Sequence, residues 1–328
     1  MPYLPEAVES ILNQDTNNFR YLIIDDCSTD NSYQYLKTIK DERIQLVRNK
    51  QNIGVSSSFN KALEIIETPI LIRMDQDDIS LPSRVREQTT TLYQDQTLGF
   101  LCSWENIIDH KGKIINSASN KINNFGELLA PILLGLCPIW HPSLACRVTA
   151  LKSIGGFRDE YRRAEDYDVT ARLALQRINA CICQTYHLNV RRHRMQQSQQ
   201  YLKEQKNMSK KIQNQSILFF NVNDMESEIL TNLYRRDLKI SDLLSNQRLL
   251  EITRIHMNFI NSVHKQFDLN MQESKSFLRI FKKRLGNGFF ILNNFQKMPL
   301  IFLSLIFLLT SPQYFASRAK KCLLKIPE

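Results

Sequence analysis

Three carboxylates, Asp75, Asp77 and Asp78, follow directly on the apolar run Pro69-Ile70-Leu71-Ile72. That run reads as a buried strand, so the acids fall at or just past its carboxyl end. In open α/β sheets, ligands bind in the crevice at that edge. Carboxylates this close are tolerated when a cation or cationic substrate sits between them. Mg²⁺ and Mn²⁺, hard and oxygen-preferring, suit such a group best. The alternative is an acidic surface turn, and the run alone does not decide between the two.

The surrounding pattern makes the strand reading concrete. Leu4, Val8, Ile11 and Leu12 recur at helical spacing. Tyr21-Leu22-Ile23-Ile24 is a short apolar strand ending at Asp25-Asp26, and the helix-capping residues Ser28 to Asn31 follow it. Ile44 to Val47 forms a second strand. Val55, Phe59, Leu63 and Ile66 mark a helix before the strand at Pro69–Met74, and Pro82 opens the next helix. Alternation of this kind predicts an α/β fold with a parallel sheet covered by helices, and with the first two acidic clusters on one sheet edge. After Phe100 the rhythm changes. Glu105–Asp109 and Lys113–Asn116 flank His110-Lys111-Gly112 as a hairpin, and helices are expected at 124–136 and around Asp166–Gln176.

Charge divides the chain. Residues 1–200 hold equal numbers of acidic and basic side chains, so the whole net charge of +10 lies beyond them. The polar stretch 195–215 marks the boundary, giving a domain at 1–200 and a basic helical region at 201–328. Near the end, the apolar run Pro299 to Leu309 lies between Lys282, Lys283, Arg284 and Lys297 on one side and Arg318, Lys320 and Lys321 on the other. It falls short of the roughly 20 residues that a spanning helix needs. A helix lying in an anionic membrane interface fits this pattern; a buried helix of a small bundle is the alternative. The basic tail lacks a nucleic-acid-binding motif or interleaved aromatic platform, so no nucleic acid is expected. Seven scattered cysteines without a secretory signal predict reduced thiols in the cytoplasm. Cys181-Ile182-Cys183 is too close for a normal metal pair.

A third acidic cluster, Glu165-Asp166-Tyr167-Asp168, opens the late helix. Together the motifs form an ordered set: Leu22 to Asp30; Asn49 and Asn52-Ile53-Gly54-Val55 with Asn60; Arg73 to Arg84; His141-Pro142-Ser143; Gly155-Gly156-Phe157; Glu165 to Asp168; and Arg191-Arg192-His193. Over residues 3–200 this set resembles a family 2 glycosyltransferase with the GT-A, Rossmann-like nucleotide-diphospho-sugar transferase fold.

The resemblance implies roles. Asp25 and Asp26 look like the nucleotide-contacting acids, since a carboxylate accepts from a pyrimidine N–H and from ribose hydroxyls; helix capping is the alternative for one of them. Asp75-Gln76-Asp77 is similar to the DXD motif, with Asp75 on ribose or metal and Asp77 on a divalent cation, Mn²⁺ or Mg²⁺, that bridges the donor diphosphate. Asp166 matches the catalytic base and Glu165 an acceptor-orienting residue. Both acids also favour a helix N-terminus without any catalytic role. His193 is placed near the diphosphate or metal, and His141 in the acceptor loop. Arg84 stands where a guanidinium neutralises phosphate; a solvated helix-face charge is the alternative.

The implied activity is metal-dependent, inverting transfer from a nucleoside-diphosphate sugar to a glycan or lipid-linked acceptor. Surface polysaccharide or glycolipid synthesis at the inner face of the plasma membrane is the expected setting. Two departures stand out. The apolar first strand that the family carries ahead of the Leu4–Leu12 helix has no counterpart in this sequence. The Gln-x-x-Arg-Trp signature of processive synthases is absent too, which favours adding one or a few sugars. A nucleotide-binding or membrane-associated module without transfer activity stands as the second reading.

Overall fold

The chain opens on helix α1 (Leu4–Leu12), which buries Ala7, Val8 and Ile11 along the expected apolar stripe. The structure, a computed structural model, describes residues 2–193, 201–235, 237 and 246–285. The apolar run 299–309 and the segment 194–200 lie outside the described residues. The end of α1 is tied to the loop beyond the acidic run. Ser80 N donates to Ser10 Oγ over 2.9 Å, and the Gln14 amide donates to Leu81 O and accepts from Val85 N.

Strand β1 (Tyr21–Asp25) pairs in parallel with β2 (Ile44–Arg48) through the crossover helix α2 (Ser32–Thr38). Helix α3 (Val55–Ile65) leads to β3 (Ile70–Ile72), the acidic loop, β4 (Ile79–Ser80) and α4 (Arg84–Gln94). Next come the hairpin β5 (Leu98–Ile108) and β6 (Ile114–Ala118), helix α5 (Phe125–Leu133), a 3-10 turn at His141–Ser143 and β7 (Ala145–Arg147). Helices α6 (Val148–Ser153) and α7 (Glu165–Leu175) and the long strand β8 (Asn179–Arg191) complete this part.

The sheet differs from the expected parallel one. Strands β1 and β2 make a two-stranded sheet of their own. The other strands form a second sheet in the order β3-β7-β5-β8-β4, with β6 on β5. Only β5–β8 is parallel there; β3–β7, β5–β7, β4–β8 and β5–β6 are antiparallel. The acidic clusters after β1 and β3 therefore stand at the ends of strands in two sheets, not on one edge. Apolar runs mark strands well, but the partner of each is chosen by tertiary packing. Strand β5 is the centre of the larger sheet, and Phe100, Leu101 and Cys102 are fully buried within it.

Two compact units result. The first comprises Met1–Asn123 with Cys137–Met208, the second Asn124–Leu136 with the chain from Ser209. The second unit thus includes α5, which the sequence reading had placed in the N-terminal domain. It packs α5 with α8 (Leu202–Leu218), α9 (Asp224–Arg235), α10 (Asn246–Phe267) and α11 (Met271–Leu285). Its core is aromatic: Phe220, Tyr234, Phe259, Phe277 and Phe281 have no exposed surface. Helices α5 and α11 touch backbone to backbone. A Cβ on Gly126 would lie 2.1 Å from Glu273 O, so only glycine fits there. Among the described residues no helix is long and apolar enough to cross a membrane.

Candidate active site

The loop between β3 and β4 sorts its three acids. Asp75 and Asp77 keep 26% and 18% of their side-chain surface, whereas Asp78 is 2% exposed. Asp78 Oδ1 accepts the backbone N–H of Arg191 over 2.9 Å, and burial, then Asp75, push its pKa up to about 8. Asp78 therefore braces the loop, leaving the other two carboxylates to face outward.

Arg73 organises one half of the site. Its N–H donates to Leu144 O over 2.9 Å, and its guanidinium donates to Asp75 Oδ1 over 2.9 Å and contacts His141 Nδ1. The same charge acts on Glu165 and Asp166, in the first turn of α7. Burial, then the neighbouring Asp166, raise Glu165 to about 7, and burial also raises Asp166. Asp166 Oδ1 accepts from Tyr167 N over 2.7 Å. Burial and Arg73 hold His141 well below its usual pKa, so its imidazole is neutral and Nδ1 accepts from Arg73. His141 Nε2 is buried without a partner. Asp168, in the same first turn of α7, has a structural task. Its carboxylate is buried between Arg158 and Arg172, and Arg172 also donates to Ile154 O and Gly156 O.

That clamp explains the Gly155-Gly156-Phe157 motif. Asn60 of α3 grips the backbone of Phe157 at both ends, with Nδ2 donating to its carbonyl (2.7 Å) and Oδ1 accepting its N–H (2.8 Å). A Cβ on Gly156, whose φ is +72°, would stand 2.4 Å from Asn60 Oδ1. The Phe59 ring stacks on Phe157 and lies 5.2 Å from the Arg73 guanidinium.

Asp77 makes its own pairing: His193 Nε2 lies 2.9 Å from Asp77 Oδ2. Arg191 Nε donates to Asp77 O over 2.9 Å, and its guanidinium reaches Glu6 and stacks 4.5 Å from the Tyr3 ring. A carboxylate and an imidazole within one contact are ligands that Mn²⁺ accepts readily. Among the described residues no group of three or more His, Cys, Asp or Glu stands ready to hold a metal. The two fit a divalent cation whose remaining ligands come from phosphate oxygens and water.

The acids after β1 divide their roles. Asp26 Oδ1 accepts from Asn49 Nδ2 and Ile53 N, and Oδ2 from Gly54 N, all within 2.9 Å. It pins the loop entering α3, whose N-cap residue is Gly54. Asp25 is 3% exposed and pairs through Oδ2 with Arg48 (3.1 Å), while Oδ1 is buried with no partner. An orphaned buried acceptor is costly unless a ligand donates to it. Of this pair, Asp25 is the one with an open acceptor.

Arg84 is a correction. It has no exposed surface and donates to Arg73 O, Pro142 O and Gln88 Oε1. The guanidinium straps the acidic loop to the 3-10 turn and is closed to phosphate. Its buried counter-charge Glu105, on β5, escaped the sequence reading. Glu105 is 4% exposed, and burial raises it to about 7. No local signal marks it, since an acid in an apolar strand reads as an outward-facing residue. The pair His187–Glu87 (2.8 Å) was missed for the same reason.

A larger mixed sheet around β5, carboxylates at strand ends and an acidic helix start define a GT-A architecture. The structure of S. aureus TarS (residues 1–349) in complex with UDP superposes with a TM-score of 0.52 at 17% identity, covering 86% of this chain and 83% of that one. Residues 1–154 match the model of Glycosyl transferase family 2. An uncharacterized glycosyltransferase of Methanocaldococcus jannaschii is 28% identical over 191 residues, which is 57% of this chain and 62% of that protein. The chain thus spans less than two thirds of that relative. The Escherichia coli protein WcaA, named for colanic acid biosynthesis, is 33% identical over 81 residues, 24% of this chain and 29% of its own.

Proposed function

We propose that the protein transfers a sugar from a nucleoside diphosphate to an acceptor hydroxyl, inverting the anomeric carbon. The observation that carries this reading is the convergence on Arg73 of Asp75, from the end of β3, with Glu165 and Asp166 of α7. It sets the donor-side acid and the candidate base in one electrostatic cluster. Asp166 takes the proton of the acceptor hydroxyl as that oxygen attacks the anomeric carbon. Glu165, raised beside it, holds the acceptor through a hydrogen bond. Asp25 Oδ1 accepts from the nucleoside, and His141 Nε2 donates to a sugar or phosphate oxygen. Asp77 and His193 would hold Mn²⁺ or Mg²⁺, which offsets charge growing on the leaving diphosphate when bound. Asp75, fixed by Arg73, faces the ribose or the cation.

Uridine diphosphate sugars are the first donors to test, because TarS is known with UDP and with UDP-GlcNAc. The likeness to WcaA supports a surface polysaccharide or glycolipid acceptor. The basic end of α11, with Arg279, Lys282, Lys283 and Arg284, supports attraction to an anionic membrane face. A melting-temperature screen of nucleotide sugars with and without Mn²⁺ tests the reading. A rise that needs both nucleotide and metal is expected; no rise with any of them would overturn it. One observation favours a second reading, a nucleotide-binding module without turnover: among the described residues, β1 pairs only with β2. Binding without transfer in the same screen would establish that reading instead.

A further inference from the structure

A third side chain touches the Asp77–His193 pair, and the proposed transfer leaves it unused. Tyr3 is the N-cap residue of α1. Its ring centroid lies 5.1 Å from that of the His193 imidazole, with 37° between the planes. The Arg191 guanidinium stacks 4.5 Å from the centroid of the same ring. Arg191 in turn donates through Nε to Asp77 O and pairs with Glu6, in the first turn of α1. The backbone that carries Tyr3 is itself fixed. Tyr3 O accepts from Ala7 N over 3.1 Å, and a proline stiffens the first turn. Ser10 and Gln14 tie the far end of α1 to Ser80 and Leu81, just beyond the acidic loop. Tyr3, Asp77 and His193 thus belong to one packed assembly built from α1, the loop and the end of β8.

An imidazole turns about two side-chain torsions. The contact of His193 Nε2 with Asp77 Oδ2 fixes one atom and leaves the ring free to pivot about it. An aromatic neighbour at this separation holds a preferred mutual tilt and removes that freedom. A side chain ordered in advance spares the ordering cost when a ligand arrives. We infer that Tyr3 is a positioning residue for the divalent cation: its ring, packed on His193 and Arg191, holds the imidazole where it and Asp77 meet the metal. The inference rests on Asp77 and His193 being the protein ligands of that cation. The ring carries the effect and the phenol hydroxyl has no part in it. Loss of the ring weakens the cation by about threefold to tenfold, the cost of ordering one side chain.

Mn²⁺ is its own probe. The full chain with UDP is titrated with Mn²⁺ while electron paramagnetic resonance follows the free ion, and the pulsed experiment reads nitrogen modulation from a coordinated imidazole. Wild type is expected to show that modulation, and Tyr3→Phe, which keeps the ring, to match it in signal and affinity. Tyr3→Leu is expected to bind Mn²⁺ about threefold to tenfold more weakly, with reduced modulation. A lower melting temperature of metal-free Tyr3→Leu with Mn²⁺ affinity intact marks a purely structural residue and would overturn the proposal. So would Tyr3→Phe as weak as Tyr3→Leu. Mn²⁺ bound to wild type without nitrogen modulation would instead remove His193 from the cation, overturning the ligand reading and the inference with it. One measurement needs no substitution and decides even if Tyr3→Leu folds poorly. In the wild-type complex with Mg²⁺ and UDP, nuclear Overhauser contacts between the Tyr3 and His193 rings are expected to persist; their loss on binding overturns the proposal.

Discussion

His193 and Asp77 are 116 positions apart in the chain and 2.9 Å apart in space. The antiparallel pairing of β4 with β8, with Ile79 opposite Asn189, brings the loop before one strand to the residues after the other. Arg191 then locks the two together through Asp77 O and the Asp78 carboxylate. If this contact holds the cation, Asp77→Ala abolishes the Mn²⁺-dependent rise in melting temperature produced by a nucleoside diphosphate. His193→Ala weakens the apparent Mn²⁺ affinity by at least about tenfold. A Mn²⁺ titration followed by thermal shift reads both.

Asp25 and Asp26 separate stability from binding. Asp26→Ala leaves the N–H groups of Ile53 and Gly54 without their acceptor and costs about 3 kcal/mol of folding stability. Asp25→Asn keeps the fold near wild type and weakens donor binding by about tenfold, the loss of roughly one good hydrogen bond. Urea unfolding and nucleotide titration of both variants check the contrast.

Arg84→Lys is expected to act on the fold. Lysine reaches fewer of the carbonyl and amide oxygens that Arg84 now satisfies from a fully buried position. The variant loses about 2–4 kcal/mol of stability, while the donor KM of the folded fraction is unchanged. A raised KM at unaltered stability would restore the donor-binding role read from the sequence.

Stability should fall as pH rises through neutrality. Asp78 is raised to about 8, and Glu105 and Glu165 to about 7, each chiefly by burial. A carboxyl with a higher pKa in the folded state takes up a proton on folding. Its stabilising contribution is complete below the unfolded value, about 4, and is lost as pH passes the folded value. The metal-free protein therefore melts lower at about pH 8 than at about pH 6. Glu105→Gln flattens that slope, which a series of melts across this range would register.

Much of the fold could be read in advance where local pattern and tertiary structure agree. The stripe of Leu4, Val8 and Ile11 marked α1, and the apolar runs at Tyr21 and Ile70 marked strands with acids at their ends. Strands β7 and β8 were not legible. The second half of β8 carries Gln184, His187 and Asn189, whose polarity hides a strand that buries His187 against Glu87. The division of labour among neighbouring acids was also hidden. Asp25 and Asp26, or Asp77 and Asp78, look alike in sequence. They differ in which distant donors reach them: Asn49 and the 53–54 loop for Asp26, the Arg191 backbone for Asp78. The strapping role of Arg84, in place of a phosphate-neutralising or solvated one, was hidden because its acceptors come from residues 11 and 58 positions away.

The central claim is sugar transfer with Asp166 as base, and release of nucleoside diphosphate from a cognate nucleotide sugar tests it most directly. Wild-type protein with Mn²⁺ and an acceptor glycan is predicted to release the diphosphate in step with glycosylated product, and a chelator to stop both. Asp166→Asn is predicted to lower kcat on the order of 10²- to 10⁴-fold with donor affinity retained. Full turnover in Asp166→Asn would contradict the account.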